Sequence, residues 1–414
     1  MGRVSITNWA GNVTFTPPRL HAPRTVPELQ ELVASSSHIR ALGTGHSFNR
    51  IADTDGVLVT TRELTPGMDI DRDAAAATVP GGARYGDVAA ALHERGWALP
   101  NLGSLPHISV AGACATGTHG SGNGNRCQAA AVRAVEFVRA DGELVTIASG
   151  DDGFGGAALN LGALGIVTRI TLAIEPAYDI TQDVWLDAPV DRVLENYAEI
   201  AAAAYSVSLF SDPGTPGRID QIWLKRRDEP PADGARWGAT AASEDAHPIA
   251  GQDARAATPQ RGERGPWHER LPHFRASFTP STGDEQQSEF FVARADGPAA
   301  IEAVLSLDLR DAVQVNEFRT VAADDLWLSP FHDRESTALH FTWHDDDELV
   351  RSALARVQGA LAPFDARPHW GKVFHLDRDE VQRHYPRLAD FRALAARHDP
   401  EHKFGNAFLE TYVY

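Results

Sequence analysis

Apolar residues recur in two registers along this chain, every second position and every third or fourth, and the change from one to the other marks out most of its elements. Leu29, Leu32 and Val33 form a helical stripe within residues 23–36, with Thr25 placed to cap, Pro27 in the first turn and Glu28 near the helix N-terminus. Residues 39–42 read as a short strand that feeds a glycine turn, and 57–61 and 77–80 read as strands. Residues 86–96 read as a helix ending at Gly96. Residues 135–138 and 144–147 flank Asp141-Gly142, a strong hairpin signal. Residues 160–172 open on a Gly-rich turn and close on a β-branched strand. Strands and helices mixed in this way predict an α+β domain ending near residue 175.

The texture changes after residue 176. Residues 228–270 are rich in Pro, Gly, Ala and charge with little periodicity, which predicts a long surface excursion. Strands are predicted at 287–292, 313–320 and 338–344, and helices at 298–310, 347–362 and 387–398. No internal repeat interrupts this order.

Composition narrows the function classes. At 414 residues the chain predicts two domains. A formal net charge of −18 argues against nucleic acid or anionic lipid as a partner, because phosphate binding needs basic surface. No apolar run approaches a membrane span and the first nine residues lack a signal-peptide core, so a cytoplasmic protein is expected. Cys114 and Cys127 have no metal-ligand spacing, so no metal site is expected, and no disulfide is expected either; Cys114, among small residues, reads as buried packing. Only Lys225, Lys372 and Lys403 are lysine, against a background of arginine.

Two loops carry candidate chemistry. Gly43-Thr44-Gly45-His46-Ser47 follows the first strand, and residues 103–122 run Gly-Ser-Leu-Pro-His-Ile-Ser-Val-Ala-Gly-Ala-Cys-Ala-Thr-Gly-Thr-His-Gly-Ser-Gly. Glycine lets backbone N–H groups approach a phosphate and hydroxyls add neutral donors, so these loops suit a large phosphorylated cofactor. A NAD-type strand–GxGxxG–helix unit is not evident. Farther on, Glu317 and Arg319 lie two apart on one predicted strand, and His340 and Thr342 on another. Period-2 geometry puts each pair on one face. If the strands share a sheet, one face presents all four, as a polar pocket would; spacing alone fits an ordinary solvent-facing surface equally well.

Together these residues carry a resemblance. Asn8-Trp9-Ala10-Gly11-Asn12, the Gly43–Ser47 turn, the 103–122 run, Leu164-Gly165-Ile166-Val167 and His369-Trp370-Gly371-Lys372 occur in the order found in aldonolactone and alditol oxidases of the vanillyl-alcohol-oxidase-type flavoproteins. Leu339-His340-Phe341-Thr342-Trp343 and residues 265–272 bring the chain nearest to bacterial alditol (xylitol/sorbitol) oxidases. The resemblance implies FAD, linked covalently through His46. It implies cofactor contacts from Ala41, Gly43, Thr44, Gly45, Ser47, Gly103, Ser104, His107, Ser109, Val110, Gly112, Ala115, Gly117, Thr118, His119, Gly162, Gly165, Ile166 and Val167, with neutral donors because these loops hold almost no Lys or Arg.

The resemblance also implies the pocket. Ser104, Glu317, Arg319, His340, Thr342 and Lys372 match polyol-binding positions, and His340, Arg319 and Lys372 match catalytic ones. The implied reaction passes hydride from C1 of an alditol to flavin N5, with O2 reduced to hydrogen peroxide. His340 is the implied base, and its competitor is a hydroxyl acidified by Arg319 and Lys372 without a dedicated base. A small residue at Gly103 is expected to admit dioxygen. The rival readings are a sugar-1,4-lactone oxidase or dehydrogenase and, from another class, a non-catalytic flavin- or sugar-binding protein. The expected architecture is a two-domain α+β flavoprotein: an FAD-binding domain of two α/β subdomains over 1–175, a cap with an antiparallel sheet covered by helices over 176–379, and 380–414 returning to the FAD domain, in a monomer.

Overall fold

A computed structural model describes residues 5–278 and 285–414; residues 1–4 of the N-terminal stretch considered above lie outside it. Helix Val26–Ser35 begins as its sequence dictates: the Thr25 side chain accepts from the Glu28 N–H, and Leu29 and Val33 are buried. Beside it, strands Leu20–His21, Val57–Val59 and Ile39–Ala41 form a small parallel sheet in the order first, third, second along the chain. A five-stranded antiparallel sheet follows, with Ile166–Ala173 between Ala76–Pro80 and Val132–Val138. The Asp141-Gly142 hairpin joins Val132–Val138 to Leu144–Ala148, and Gly142 takes the left-handed φ of 89° that the turn requires. Helix Tyr85–His93 is shorter than its pattern suggested, because the chain turns out before Gly96.

From residue 179 to residue 368 the chain builds a nine-stranded sheet, antiparallel at every pairing. Its centre runs Arg218–Arg226, Ser206–Ser211, Val313–Val321, Ser336–His344, Glu285–Ala293. One face is apolar: Leu209, Phe290, Phe318, Leu339 and Phe341 are almost fully buried. Helices Gly297–Leu305 and Asp347–Leu361 contribute Ile301, Val304, Leu354 and Val357 to the same core. The opposite face is polar and forms one wall of the main cavity.

The C-terminal segment is tied back to the first domain. Ile39 N–H donates to Lys403 O at 3.0 Å, and Lys403 Nζ donates to Val33 O and Ala140 O at 2.8 and 2.7 Å. Arg40 is almost fully buried and donates to Leu161 O, Gly162 O and Phe404 O at 2.9, 3.1 and 2.7 Å. Backbone carbonyls replace the water that a buried guanidinium loses.

Residues 228–270 are more than a surface excursion. They pass through short pieces of helix and strand, Trp237 and Trp267 are buried, and His247, Pro248 and Ile249 reach the cavity wall. Low periodicity hid this because such a segment packs by single anchoring side chains. Both cysteines are free and buried, with Tyr85 Oη 3.4 Å from Cys114 Sγ and Cys127 Sγ 3.2 Å from Asp324 Oδ2.

Candidate active site

A cavity of about 890 Å³ runs from the Gly43–Ser47 turn to the polar face of the nine-stranded sheet. Of the residues expected at a cofactor, Ala41, Gly43, Thr44, Gly45, His46, Ser47, Gly103, Ser104, His107, Ser109, Gly112, Ala115, Thr118, His119, Gly162, Gly165 and Val167 line it. Three do not. Val110 points into the core with its N–H given to Ala83 O at 2.8 Å. Gly117 ends a short helix at φ 73°, and a Cβ there would meet Leu159 and Pro330. Ile166 is buried with Leu29, Val33 and Val138 on the far side of its strand.

The donor set fits a flavin dinucleotide. Among the described residues, no protein acceptor takes the backbone N–H groups of Thr44, Gly45, His46 or Ser47, which leaves successive loop amides at the cavity for an anionic group. The backbones also approach closely, since a Cβ on Gly43 would fall 2.3 Å from Ser109 Oγ. The wall is less neutral than the loop sequences suggested: Arg62 and Arg84, just outside the Gly-rich runs, also line it.

His46 stacks on Trp9, with ring centroids 5.2 Å apart and planes 17° apart, and its Nδ1 lies 3.1 Å from Thr44 Oγ1. Burial, then the nearby His107 ring, lowers its pKa to about 4 and keeps it neutral. The loop is stitched to the His369–Lys372 turn. Phe48 N–H donates to Gly371 O, and Asn49 Nδ2 donates to Trp370 O and Lys372 O, each at 2.8 Å. Within that turn His369 Nδ1 accepts from the Gly371 N–H at 3.0 Å.

The sheet brings the other predicted residues together by register. Glu317 pairs directly with His340, and His340 with Glu289 on the next strand; Thr342 pairs with Val315 and Gln287. Period 2 then puts Glu317, Arg319, His340 and Thr342 on one face, all in the cavity wall with Lys372 and Ser104. Arg319 Nη1 donates to Ser104 Oγ at 3.3 Å, which joins this face to the 103–122 loop.

The residue that organises the wall was not singled out from sequence. Glu289 is 1% exposed, and its carboxylate accepts from Arg319 Nη2 at 2.5 Å and Lys372 Nζ at 2.8 Å, with His119 Nε2 at 3.2 Å. Burial alone pushes its pKa up, but Lys372 and Arg319 outweigh burial and hold it well below the usual carboxylate range. Glu317 is the second buried carboxylate, likewise held low by Arg319 and then His273 against burial. The only sequence signal for Glu289 was its alternation with Glu285 and Gln287 on one strand face. His119, expected at the cofactor, stands in the wall with its ring turned to Glu289.

His340 Nε2 lies 3.1 Å from Gln287 Oε1, and Gln287 Nε2 donates to Glu285 Oε1 at 2.7 Å. An amide whose NH2 faces a carboxylate turns its oxygen to the ring, so Nε2 carries the His340 proton and Nδ1 keeps its lone pair. No hydrogen-bond partner among the described residues meets that Nδ1, and Glu317 Oε2 lies 3.8 Å away. Burial, then Lys372, lowers the His340 pKa to about 3.

Residues 17–148 match the FAD binding domain family, and residues 285–412 match the D-arabinono-1,4-lactone oxidase family. The chain resembles the cholesterol oxidase from B. sterolicum in fold, with a TM-score of 0.79 at 14% identity, covering 99% of this chain and 96% of that one. Fold and site together define an FAD-binding oxidoreductase with a cap domain. The chain is 50% identical to the alditol oxidase of Streptomyces sp. (strain IKD472 / FERM P-14339), over 99% of both chains. It is 26% identical to the L-gulono-1,4-lactone dehydrogenase of Mycobacterium tuberculosis, over 98% of both. The chain belongs to the family of the alditol oxidase.

A buried carboxylate shared by two cations makes a prediction. Glu289→Gln leaves Arg319 and Lys372 without their common counter-ion, so it should destabilise the protein by about 3–5 kcal/mol in denaturant unfolding. Because the folded pKa of Glu289 is depressed, its contribution is complete above the unfolded value near 4.5 and is lost as pH falls below it. The variant should therefore lose less stability than wild type on acidification; a loss under about 1 kcal/mol at neutral pH contradicts this picture.

Proposed function

We propose that the protein is an alditol oxidase that takes polyols such as xylitol or sorbitol at the C1 hydroxyl, with FAD joined covalently through His46. The observation that carries the reading is one enclosed sheet face on which Glu317, Arg319, His340, Thr342 and Lys372 converge in a family member 50% identical to an alditol oxidase. A polyol offers only hydroxyls, each a donor and an acceptor. Glu317 accepts from them, Arg319 and Lys372 donate, and Ser104 and Thr342 do both. A ligand lacking a hydroxyl would leave one of these buried groups unpaired, which is the source of selectivity.

FAD, held by the Gly43–Ser47 and 103–119 loops, would supply the hydride acceptor and the route of electrons to dioxygen, with hydrogen peroxide as the product. The protein's part is to prepare the alcohol. Lys372 and Arg319 donate to the C1 oxygen and stabilise the charge that develops on it. His340 accepts the C1 hydroxyl proton at the bare Nδ1, and Glu317 Oε2 beside it stabilises the resulting imidazolium. Gly103 gains no support as a dioxygen gate from its geometry: a Cβ there would aim at Gln128, Thr118 and the His119 carbonyl, at 3.3–3.6 Å.

The neutral, Trp-stacked His46 keeps a nitrogen lone pair available, which supports the covalent link. Two buried free cysteines support a reducing compartment, hence the cytoplasm, and the charge of −18 supports a reading without nucleic acid or anionic lipid as partners. Among the described residues, no helix is long and apolar enough to cross a membrane.

Purified protein should form peroxide with xylitol and sorbitol and little with L-gulono-1,4-lactone; the reverse order assigns it to the lactone oxidases. His340→Ala should slow anaerobic flavin reduction by about 10²-fold or more, and an unchanged rate removes the base. With a His340 pKa of about 3, the base form persists as pH falls, so kcat/KM should show no acid limb near the ordinary histidine value of about 6.5. After denaturation, flavin fluorescence should stay with the wild-type chain and leave His46→Ala; release from both rules out the covalent link.

A further inference from the structure

Lysine is scarce in this chain, and Lys225 is buried at 1% exposure behind the cavity wall. Its Nζ has three neighbours within hydrogen-bond distance: Leu271 O at 2.6 Å, Pro272 O at 2.9 Å and His273 Nδ1 at 3.2 Å. Burial pulls the Lys225 pKa well down and Glu317 opposes that shift; the geometry favours the ammonium, whose three protons each meet an acceptor here, and His273 Nδ1 is then the bare nitrogen. On the other side of the ring, His273 Nε2 lies 2.8 Å from Glu317 Oε1. A carboxylate only accepts, so Nε2 carries the proton. Donation therefore runs one way, from Lys225 to His273 to Glu317. The ring is held edge-on between Phe210 and Trp223, with centroids 5.5 and 5.4 Å away.

This chain of donors occupies Oε1 of Glu317. Oε2 is 3.8 Å from His340 Nδ1, itself a bare nitrogen, and no donor among the described residues reaches it. We propose that Lys225 and His273 are positioning residues for substrate recognition: they hold one oxygen of Glu317 so that the other is presented as an acceptor for a substrate hydroxyl. The proposal rests on the reading of Glu317 as a polyol-binding residue. A rotated carboxylate would turn both oxygens toward Arg319 and His273 and leave the hydroxyl without its acceptor.

His273→Leu removes both ends of the relay. His273→Gln retains its polarity, with an amide oxygen to accept from Lys225 and an amide nitrogen to donate to Glu317. In the flavin-loaded enzyme, His273→Leu should raise the xylitol KM about tenfold, while kcat and both constants of His273→Gln stay within about threefold of wild type. Losing a donor should also raise the Glu317 pKa and move an acid limb of kcat/KM to higher pH. The other charged or titratable groups facing Glu317 are unchanged: Arg319 on its own strand, His340 on the next and Lys372 from the turn after residue 368, with Lys225 behind the ring. Equal KM increases in both variants, or an increase in neither, overturn the relay.

Glu317→Gln separates the two readings. If it leaves KM unchanged, the assignment of Glu317 to substrate fails; if it raises KM and His273→Leu does not, the relay alone fails. Should His273→Leu not fold, ¹⁵N spectra of histidine-labelled wild-type holoenzyme, assigned against His273→Gln, decide the matter. The relay requires a bare Nδ1 and a protonated Nε2 at neutral pH, and the opposite tautomer or an imidazolium overturns it.

Discussion

A carboxylate with almost no contact with solvent must be paired, and the site is arranged around that requirement at Glu289. Its two oxygens take Arg319 from a strand two places along the sheet and Lys372 from the turn after residue 368. That turn is in turn hydrogen-bonded to the loop that carries His46. One buried anion thus holds together the strand that presents Glu317, the Lys372 cation in the cavity wall, and the loop that carries His46. Breaking such a pair costs more than the pair contributes, because the remaining charges stay buried.

Electrostatics then divides the labour. Glu289 and Glu317 stay ionised because cations and donors outweigh their burial, whereas burial keeps the surrounding histidines neutral. The wall therefore offers fixed anions, fixed cations and neutral rings in a water-poor space, where each interaction is stronger than in water. The apolar reverse of the same sheet, with Phe290, Phe318 and Phe341, keeps the polar face in place.

Local pattern made much of this legible. The capped helix at 26–35, the Asp141-Gly142 hairpin and the two pairs Glu317/Arg319 and His340/Thr342 follow from spacing alone, since period 2 assigns a face whatever the fold. That the two pairs belong to neighbouring strands in one register is a tertiary fact which spacing left open. Glu289 was missed for the same reason, since its partners Arg319 and Lys372 are far away in sequence; Lys225 stood out only as one of three lysines, and its partners Leu271, Pro272 and His273 are likewise distant. Val110, Gly117 and Ile166 lie off the cavity wall because a motif names a stretch of chain, while neighbouring residues of a helix or strand face different ways. The excursion at 228–270 was taken for surface because single anchors such as Trp267 and Ile249 leave no period to detect.

Where a polyol sits against this wall decides the role of each of these side chains. A crystal structure of the flavin-loaded protein, soaked with xylitol without oxygen, measures it directly. It should show the C1 oxygen within hydrogen-bond distance of Lys372, Arg319 and His340 Nδ1, and a further hydroxyl on Glu317 Oε2. Xylitol bound away from Glu317 and Arg319, or with its C1 oxygen turned from His340, would contradict it.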